Sequence, residues 1–187
     1  MQLANLLPRL HQAGGDLAAV VVDPPARNAA MAARWDLPFP IWSDPGGERL
    51  LQPLDAWNAD ERGGIAWPAL IVFGPDDREV WRFRSRDFAD RPPDNADLIA
   101  AVEERGLAPV EPPARWVPDI EPDDNPGALR PEALGPMFRG IRFATLGLAG
   151  RLESDSDRAE ARRMSAMAQS FLDAWKERRA ASGTTKP

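Results

Sequence analysis

One unbroken apolar run constrains the fold of this chain more than any other feature. Residues 16–23, DLAAVVVD, hold only Leu, Ala and Val between two aspartates. A continuous Val-rich run is typical of a parallel strand buried on both faces, because a strand with one solvated face alternates polar and apolar residues. Segments with helical periodicity flank the run at 2–13 and 24–36. The pattern therefore predicts a helix–strand–helix unit of an α/β domain.

A second apolar run, PALIVFG at 68–74, opens with a proline. Proline cannot donate a backbone hydrogen bond and is normally confined to strand edges, first residues and bulges. A proline at the first position of a buried strand indicates one of two structures. Either a special turn contains a cis Trp67–Pro68 peptide bond, or a trans proline opens an edge strand.

The other elements of the first half fit the same class. They are a short edge strand at 40–44, a helical stretch at 47–57 that contains Pro53, an antiparallel strand at 78–85 and a helix at 94–107. Asp94 or Asn95 is expected to cap the last helix, and Gly106 to end it. The order of elements predicts a layered α/β domain.

Three segments, in this order, resemble a known family. A strand ending at Asp23 is followed by a helix that leads to LPFPIWSD at 37–44, a helix follows Asp44, and GIAWPALIVFGPDD spans 64–77. Together they are similar to the alkyl hydroperoxide reductase/thiol-specific antioxidant family, the peroxiredoxin-like branch of the thioredoxin fold. The resemblance covers about residues 1–107.

The resemblance implies a thioredoxin-like fold and an antioxidant activity, the thiol-dependent reduction of hydroperoxides or disulfides. It also implies a groove beside a cis Pro68, with Trp67 and Asp44 as further candidate groove residues. The resemblance assigns no catalytic residue to this chain, because the reacting group of the family is a cysteine thiolate and the chain has no Cys. Trp67 stands near the point where many relatives place an Arg, and an indole offers one N–H donor and no charge.

Two interpretations of function stay open. In the first, the chain is a peroxiredoxin-like protein that is catalytically inactive as written, or whose upstream strand and Cys motif are missing from this sequence. In the second, it is a non-catalytic binding or scaffold module that uses the groove at Trp67 and Pro68 and the C-terminal helices. Whether the chain is an enzyme is therefore left undecided.

The resemblance also implies a missing strand. In the thioredoxin fold the first central strand lies between the counterparts of 16–23 and 68–74, and this chain begins inside the helix that follows that strand. Each apolar strand would then keep an unpaired edge, which favours association. Three completions stay open: the two strands pair directly, a partner donates a strand, or residues upstream of Met1 complete the fold.

The second half of the chain carries no such resemblance. The sequence divides into a thioredoxin-like domain at 1–107, a Pro-rich acidic linker at 108–130, a two-helix extension at 131–182 and a disordered tail at 183–187. Trp116 and Ile120 are expected to pin the linker to the domain. The segment 119–127 lacks the glycine and the terminal glutamate of a calcium loop.

The extension is expected to form a helical hairpin. Ser154 and Asp157 have the spacing of a helix cap at the start of its second helix. That helix then carries one apolar stripe, formed by Met164, Met167, Phe171 and Trp175.

Composition excludes several classes of function. The net charge of −6 and the pI near 4.9 argue against broad binding to nucleic acid or anionic lipid. With no Cys and with His11 as the single histidine, neither a metal nor a cofactor is expected. The first residues lack a signal-peptide pattern and no run approaches the ~20 apolar residues of a membrane span, so we expect a cytoplasmic protein. Its expected partners are a second copy or another protein, bound through open strand edges and the C-terminal helices.

Overall fold

The computed structural model describes residues 2–85, 95–111 and 117–181 and shows a mixed α/β chain of helices and short strands. In chain order the elements are α1 (Gln2–Gln12), β1 (Ala19–Val21), α2 (Pro25–Trp35), β2 (Ile41–Ser43), β3 (Trp57–Asn58), β4 (Ile65–Ala66), β5 (Ala69–Phe73), β6 (Glu79–Arg84), α3 (Ala96–Glu103), α4 (Pro131–Ala149) and α5 (Asp155–Ala181). The chain divides into two compact units. One contains α4, α5 and the first residues of α1, and the other contains the remaining elements.

Strands β1 and β2 form a parallel pair, and helix α2 connects them. Ala19 lies opposite Ile41 in this pair. Helix α2 begins with Pro25, at a position where the missing N–H would have no partner in the helix. The predicted helix–strand–helix unit and the predicted edge strand at 40–44 are therefore both present.

Pro68 lies immediately before β5, which pairs antiparallel with β6. The N–H of Ser85 donates to the Pro68 carbonyl at 2.9 Å. Proline has no N–H to return a second bond, so the ladder ends there. The described residues contain no cis peptide bond. The prediction of a cis Trp67–Pro68 bond is therefore wrong, and this proline is a trans residue that opens a two-stranded ladder.

The described strands form three separate two-stranded ladders, β1–β2, β3–β4 and β5–β6. The two apolar runs lie in different ladders of the described chain, so they do not pair directly with each other there. All of β1 is half-buried, and in β5 only Val72 is buried while Phe73 is 43% exposed. The predictions that 16–23 forms a strand buried on both faces and that 68–74 forms a buried strand are therefore wrong, because a two-stranded ladder presents too little sheet for other elements to enclose.

Residues 45–55 form hydrogen-bonded turns rather than the predicted helix at 47–57. Gly47 and Asp55 have φ angles of 72° and 48°, in the left-handed region that interrupts an α-helix. Pro53 supplies no N–H to a helical ladder. After these turns, β3 and β4 form a short antiparallel ladder that the sequence pattern did not indicate.

Helix α3 is shorter than the predicted helix at 94–107 and ends at Glu103. Asn95 occupies the N-cap position in a left-handed conformation and makes no side-chain hydrogen bond to the helix. It is therefore not the predicted side-chain cap, and Asp94 lies outside the described residues. The expected inward residues are buried, namely Leu98, Ile99 and Val102.

The described parts of the linker, 108–111 and 117–130, have no helix or strand and are largely exposed. Its acidic residues contact α2, because the N–H of Asp123 donates to the Ala26 carbonyl at 3.0 Å and Asp124 pairs with Arg34. Ile120 is 45% exposed, so it does not pin the linker as predicted; the polar contacts to α2 hold this segment instead. Trp116 and the predicted tail at 183–187 lie outside the described residues.

Helices α4 and α5, which lie within the predicted two-helix extension at 131–182, pack side by side. Phe138 and Phe171 stack with ring centroids 4.6 Å apart, and Met167 is fully buried. The N–H of Asp157 donates to Ser154 Oγ at 3.3 Å, as the cap spacing predicted. Within the described residues, neither these two helices nor any other has the length and apolar character to cross a bilayer.

Candidate functional site

Asp44 follows β2, and its side chain organises the turns that come next. The residue is only 2% exposed. Its Oδ2 accepts the backbone N–H groups of Leu50 and Leu51, both at 2.9 Å, and its Oδ1 accepts that of Arg49 at 3.3 Å. A carboxylate that receives several backbone donors holds a turn in the way that a capping residue holds the start of a helix.

The same contacts set the charge of Asp44. Burial raises the pKa of its carboxyl, but the backbone donors of Leu51, Leu50 and Arg49 and the charge of Arg49 together hold the pKa below its ordinary value of 3.8. At neutral pH the group is ionised and its oxygens already have hydrogen-bond partners. These contacts suit a structural anchor better than a group that exchanges protons with a substrate.

A run of backbone hydrogen bonds connects Asp44 to Trp67. Leu51 donates to the Asp44 carboxylate, and its own carbonyl accepts the N–H of Ala56 at 2.7 Å. The Ala56 carbonyl accepts the N–H of Trp67 at 2.8 Å, and Pro68 follows in the chain. The structure thus joins the three residues named from the resemblance through one turn region. It shows them as parts of a backbone scaffold, and Trp67 itself is half-buried.

The indole of Trp57 is enclosed by two glycines that the sequence analysis did not single out. A Cβ at Gly47 or at Gly64 would overlap the Trp57 ring. Both glycines also have positive φ, 72° and 120°. The sequence signal was available: a pair of glycines stands on either side of Trp57, at 46–47 and at 63–64.

A buried asparagine joins the carboxyl ends of the parallel pair. Asn28 of α2 is 2% exposed, and its Nδ2 donates to the Asp23 carbonyl at 3.1 Å and to Ser43 Oγ at 2.8 Å. In α/β proteins this edge of a parallel sheet is where binding sites commonly lie. Here the amide donates both bonds within the chain, so the cluster ties α2 to the strand ends.

The two apolar strands each leave one edge without a strand partner in the described part of the chain. In the β1–β2 pair, Ala19 donates to Pro40 and the Val21 carbonyl accepts from Asp44, so both residues face β2. Because alternate residues direct their backbone groups to opposite edges, the N–H and C=O of Val20 point away from β2. The same alternation in β5 directs the backbone groups of Ile71 away from β6.

No cluster of acidic residues and histidine among residues 2–85, 95–111 and 117–181 is arranged to hold a metal ion. No protein-family model, curated protein or solved structure matches this chain. The described site contains an anchored turn region and strands that each have one edge without a strand partner in the described chain.

Proposed function

We propose that this chain is a cysteine-free relative of the peroxiredoxin-like proteins, with a thioredoxin-like fold. In this proposal it acts as a non-catalytic binding module. Its ligand is an extended, apolar polypeptide segment that adds to the free edge of β5. The observation that carries the proposal is that β5, an apolar strand of five residues, has a strand partner on only one edge in the described part of the chain.

The free edge suits an extended backbone. An added strand gains affinity from main-chain hydrogen bonds and specificity from alternate side chains. Ile71 directs both its backbone groups to this edge, and β5 contains only Ala, Leu, Ile, Val and Phe. The half-buried state of most of these side chains leaves apolar surface for an added strand to cover.

The family chemistry is the competing interpretation, and it rests on the same resemblance. Reduction of a hydroperoxide by this family requires a thiolate, and the sequence contains no Cys. Asp44 already accepts three backbone donors, which leaves it little capacity for a substrate. A binding role uses what the described chain contains, whereas the peroxidase role needs a residue from outside this sequence.

A fluorescently labelled peptide that copies residues 16–23 tests the proposal, since it is apolar, extended and acidic at both ends. We expect saturable binding to the full chain in a polarisation titration. Ile71→Pro should weaken this binding at least fivefold, because it removes a donor from the free edge while the bonds from β5 to β6 remain. Ile71→Val keeps the donor and the β-branched side chain, and should bind as the parent chain does.

Urea unfolding of each variant separates lost binding from lost folding. Binding that survives Ile71→Pro unchanged in a folded variant would show that β5 is not the docking edge. An absence of binding by the parent chain up to millimolar peptide would overturn the proposed ligand class.

A further inference from the structure

The outward side of helix α4 exposes large apolar side chains. Phe143 is 62% exposed and Leu146 is 42% exposed. At 3.6 residues per turn they share one side of the helix with three further exposed residues. We call this set the outer face of α4, and it consists of Pro136, Gly140, Phe143, Leu146 and Gly147.

The two glycines of the outer face serve no packing purpose inside the chain. A Cβ at Gly140 or at Gly147 would meet nothing within 4 Å, although glycine inside a helix is destabilising relative to alanine. Gly135 on the same helix is the contrast, because a Cβ there would lie 2.8 Å from the Trp175 ring. The glycines of the outer face therefore leave room for something that approaches from outside.

We propose that the outer face packs against the outer face of a second copy of this chain, as an antiparallel helix pair with two-fold symmetry. Positions 136, 140, 143 and 147 alternate in steps of four and three, the spacing of a helix–helix seam. In an antiparallel pair, Phe143 of each copy fits opposite Gly140 of the other. Pro136 then lies opposite Gly147, so each bulky residue faces a position without a side chain.

Charge favours the antiparallel direction. Glu132 is exposed in the first turn of α4, and Arg151 is exposed just beyond its end. The register that places Phe143 opposite Gly140 also places Glu132 opposite Arg151 of the other copy, twice by symmetry. A parallel pair would instead bring Arg139 against Arg139 and Phe143 against Phe143.

The pair would be a weak dimer. One helix face against another buries less than the roughly 1,200 Å² at the low end of stable interfaces, so we expect micromolar dissociation constants and rapid exchange. This dimer uses α4, whereas the proposed peptide binding uses β5. Either proposal can therefore fail without the other.

Sedimentation equilibrium of the full chain, from about 5 to 500 μM, tests the association. We expect a monomer–dimer equilibrium that Phe143→Glu weakens at least tenfold. Glu132→Arg and Arg151→Glu should each weaken it severalfold, and the double variant should restore it, because the charges are then exchanged rather than lost. A chain that stays monomeric at all these concentrations, or a dimer whose dissociation constant is unchanged by Phe143→Glu, would overturn the proposal.

Cross-linking tests the direction, and the absence of native Cys makes each engineered thiol unique. A mixture of Pro136→Cys and Gly147→Cys chains should form a disulfide between different chains. Pro136→Cys alone should not, because an antiparallel pair holds those two positions roughly 16 Å apart along the axis. A Lys176→Cys chain, altered on α5, serves as the control for random collision. Efficient cross-linking of Pro136→Cys to itself would show a parallel pair and contradict the antiparallel assignment.

Discussion

The indole of Trp175 lies directly against Gly135 where α4 and α5 pack together. A Cβ at position 135 would lie 2.8 Å from the ring, and Trp175 Nε1–H donates to the Pro131 carbonyl at 3.0 Å. The Arg179 guanidinium lies 5.0 Å from the centroid of the same ring. A glycine without a side chain and an anchored indole together set how closely the two helices approach at this end.

Gly135→Ala is expected to destabilise the protein by about 1–3 kcal/mol, because the added methyl displaces the Trp175 ring. This sign is opposite to the usual effect of Gly→Ala in a helix. The control is Gly147→Ala, where the space is open and a gain of about 0.5–1 kcal/mol is expected. Urea unfolding at a few micromolar protein measures both. Equal effects at the two positions would contradict the packing at Gly135.

Trp175→Phe removes the hydrogen bond to Pro131 but keeps an aromatic ring, and should cost about 1 kcal/mol from the lost bond alone. Trp175→Ala also leaves a cavity beside Gly135 and should lower the Tm by several degrees or more. Thermal melts followed by circular dichroism measure the two changes. If both variants have the same Tm as the parent chain, the packing and hydrogen bond of Trp175 do not contribute to stability.

Asp44 predicts how stability responds to acid. Its folded-state pKa lies below the ordinary value of 3.8 because of the backbone donors. The stabilisation is therefore complete above the unfolded pKa and is lost as the pH falls through the folded pKa. The carboxyls of Glu79, bound by Arg82, and of Asp173, bound by Gln169, also have lowered pKa values and act in the same direction.

Asp44→Asn should lower the Tm at neutral pH, since a single amide oxygen replaces two carboxylate oxygens as acceptors. It should also flatten the fall in Tm below about pH 5. Melts at pH 7, 5, 4 and 3 compare it with Glu48→Gln, which removes an exposed negative charge nearby. If the Tm of the Asp44→Asn variant falls with pH as steeply as that of the parent chain, the anchoring role of Asp44 is contradicted.

Gly64 and Gly63 offer a matched test of the Trp57 enclosure. Both have positive φ, 120° and 80°, but a Cβ at Gly64 overlaps the Trp57 ring and one at Gly63 meets nothing within 4 Å. Gly64→Ala should therefore destabilise the protein by about 1–3 kcal/mol more than Gly63→Ala. Chemical unfolding of the two variants gives this difference, and no difference would mean that the indole can move aside freely.

The purified chain should not consume hydrogen peroxide or an organic peroxide in the presence of a thiol reductant. No residue in it can form the sulfenic acid on which that chemistry depends. Turnover above that of a heat-treated sample, with contaminating peroxidases excluded, would reopen the enzymatic interpretation.

Helices with strong periodicity were predictable from the sequence, whereas turns controlled by tertiary contacts were not. The stripe through Phe171 and Trp175 located α5 because its period matches a helix. The segment after Asp44 has a helical composition, but a buried carboxylate collects its backbone donors and Gly47 turns left-handed. No local sequence pattern shows that these turns, held by the Asp44 carboxylate, are favoured over a helix.

The candidate site was predictable only in part. Asp44, Trp67 and Pro68 belong to one connected backbone region, yet the geometry at Pro68 is trans. The peptide isomer depends on the packing around a turn rather than on the two residues themselves. The enclosure of Trp57 was missed because it depends on two glycines distant from each other in the chain.

The strand pairing has a consequence for how this protein folds. Each described ladder joins two strands that are consecutive in the chain, so it can form before residues far away in the sequence come together. Low contact order of this kind accompanies fast folding. The hydrogen bonds from Gln2 to Ser170 and from Asn5 to Glu177 are exceptions, because they join residues 168 and 172 positions apart. Closing loops of this length costs more entropy than closing the strand ladders, so we expect these contacts to form last and to break first.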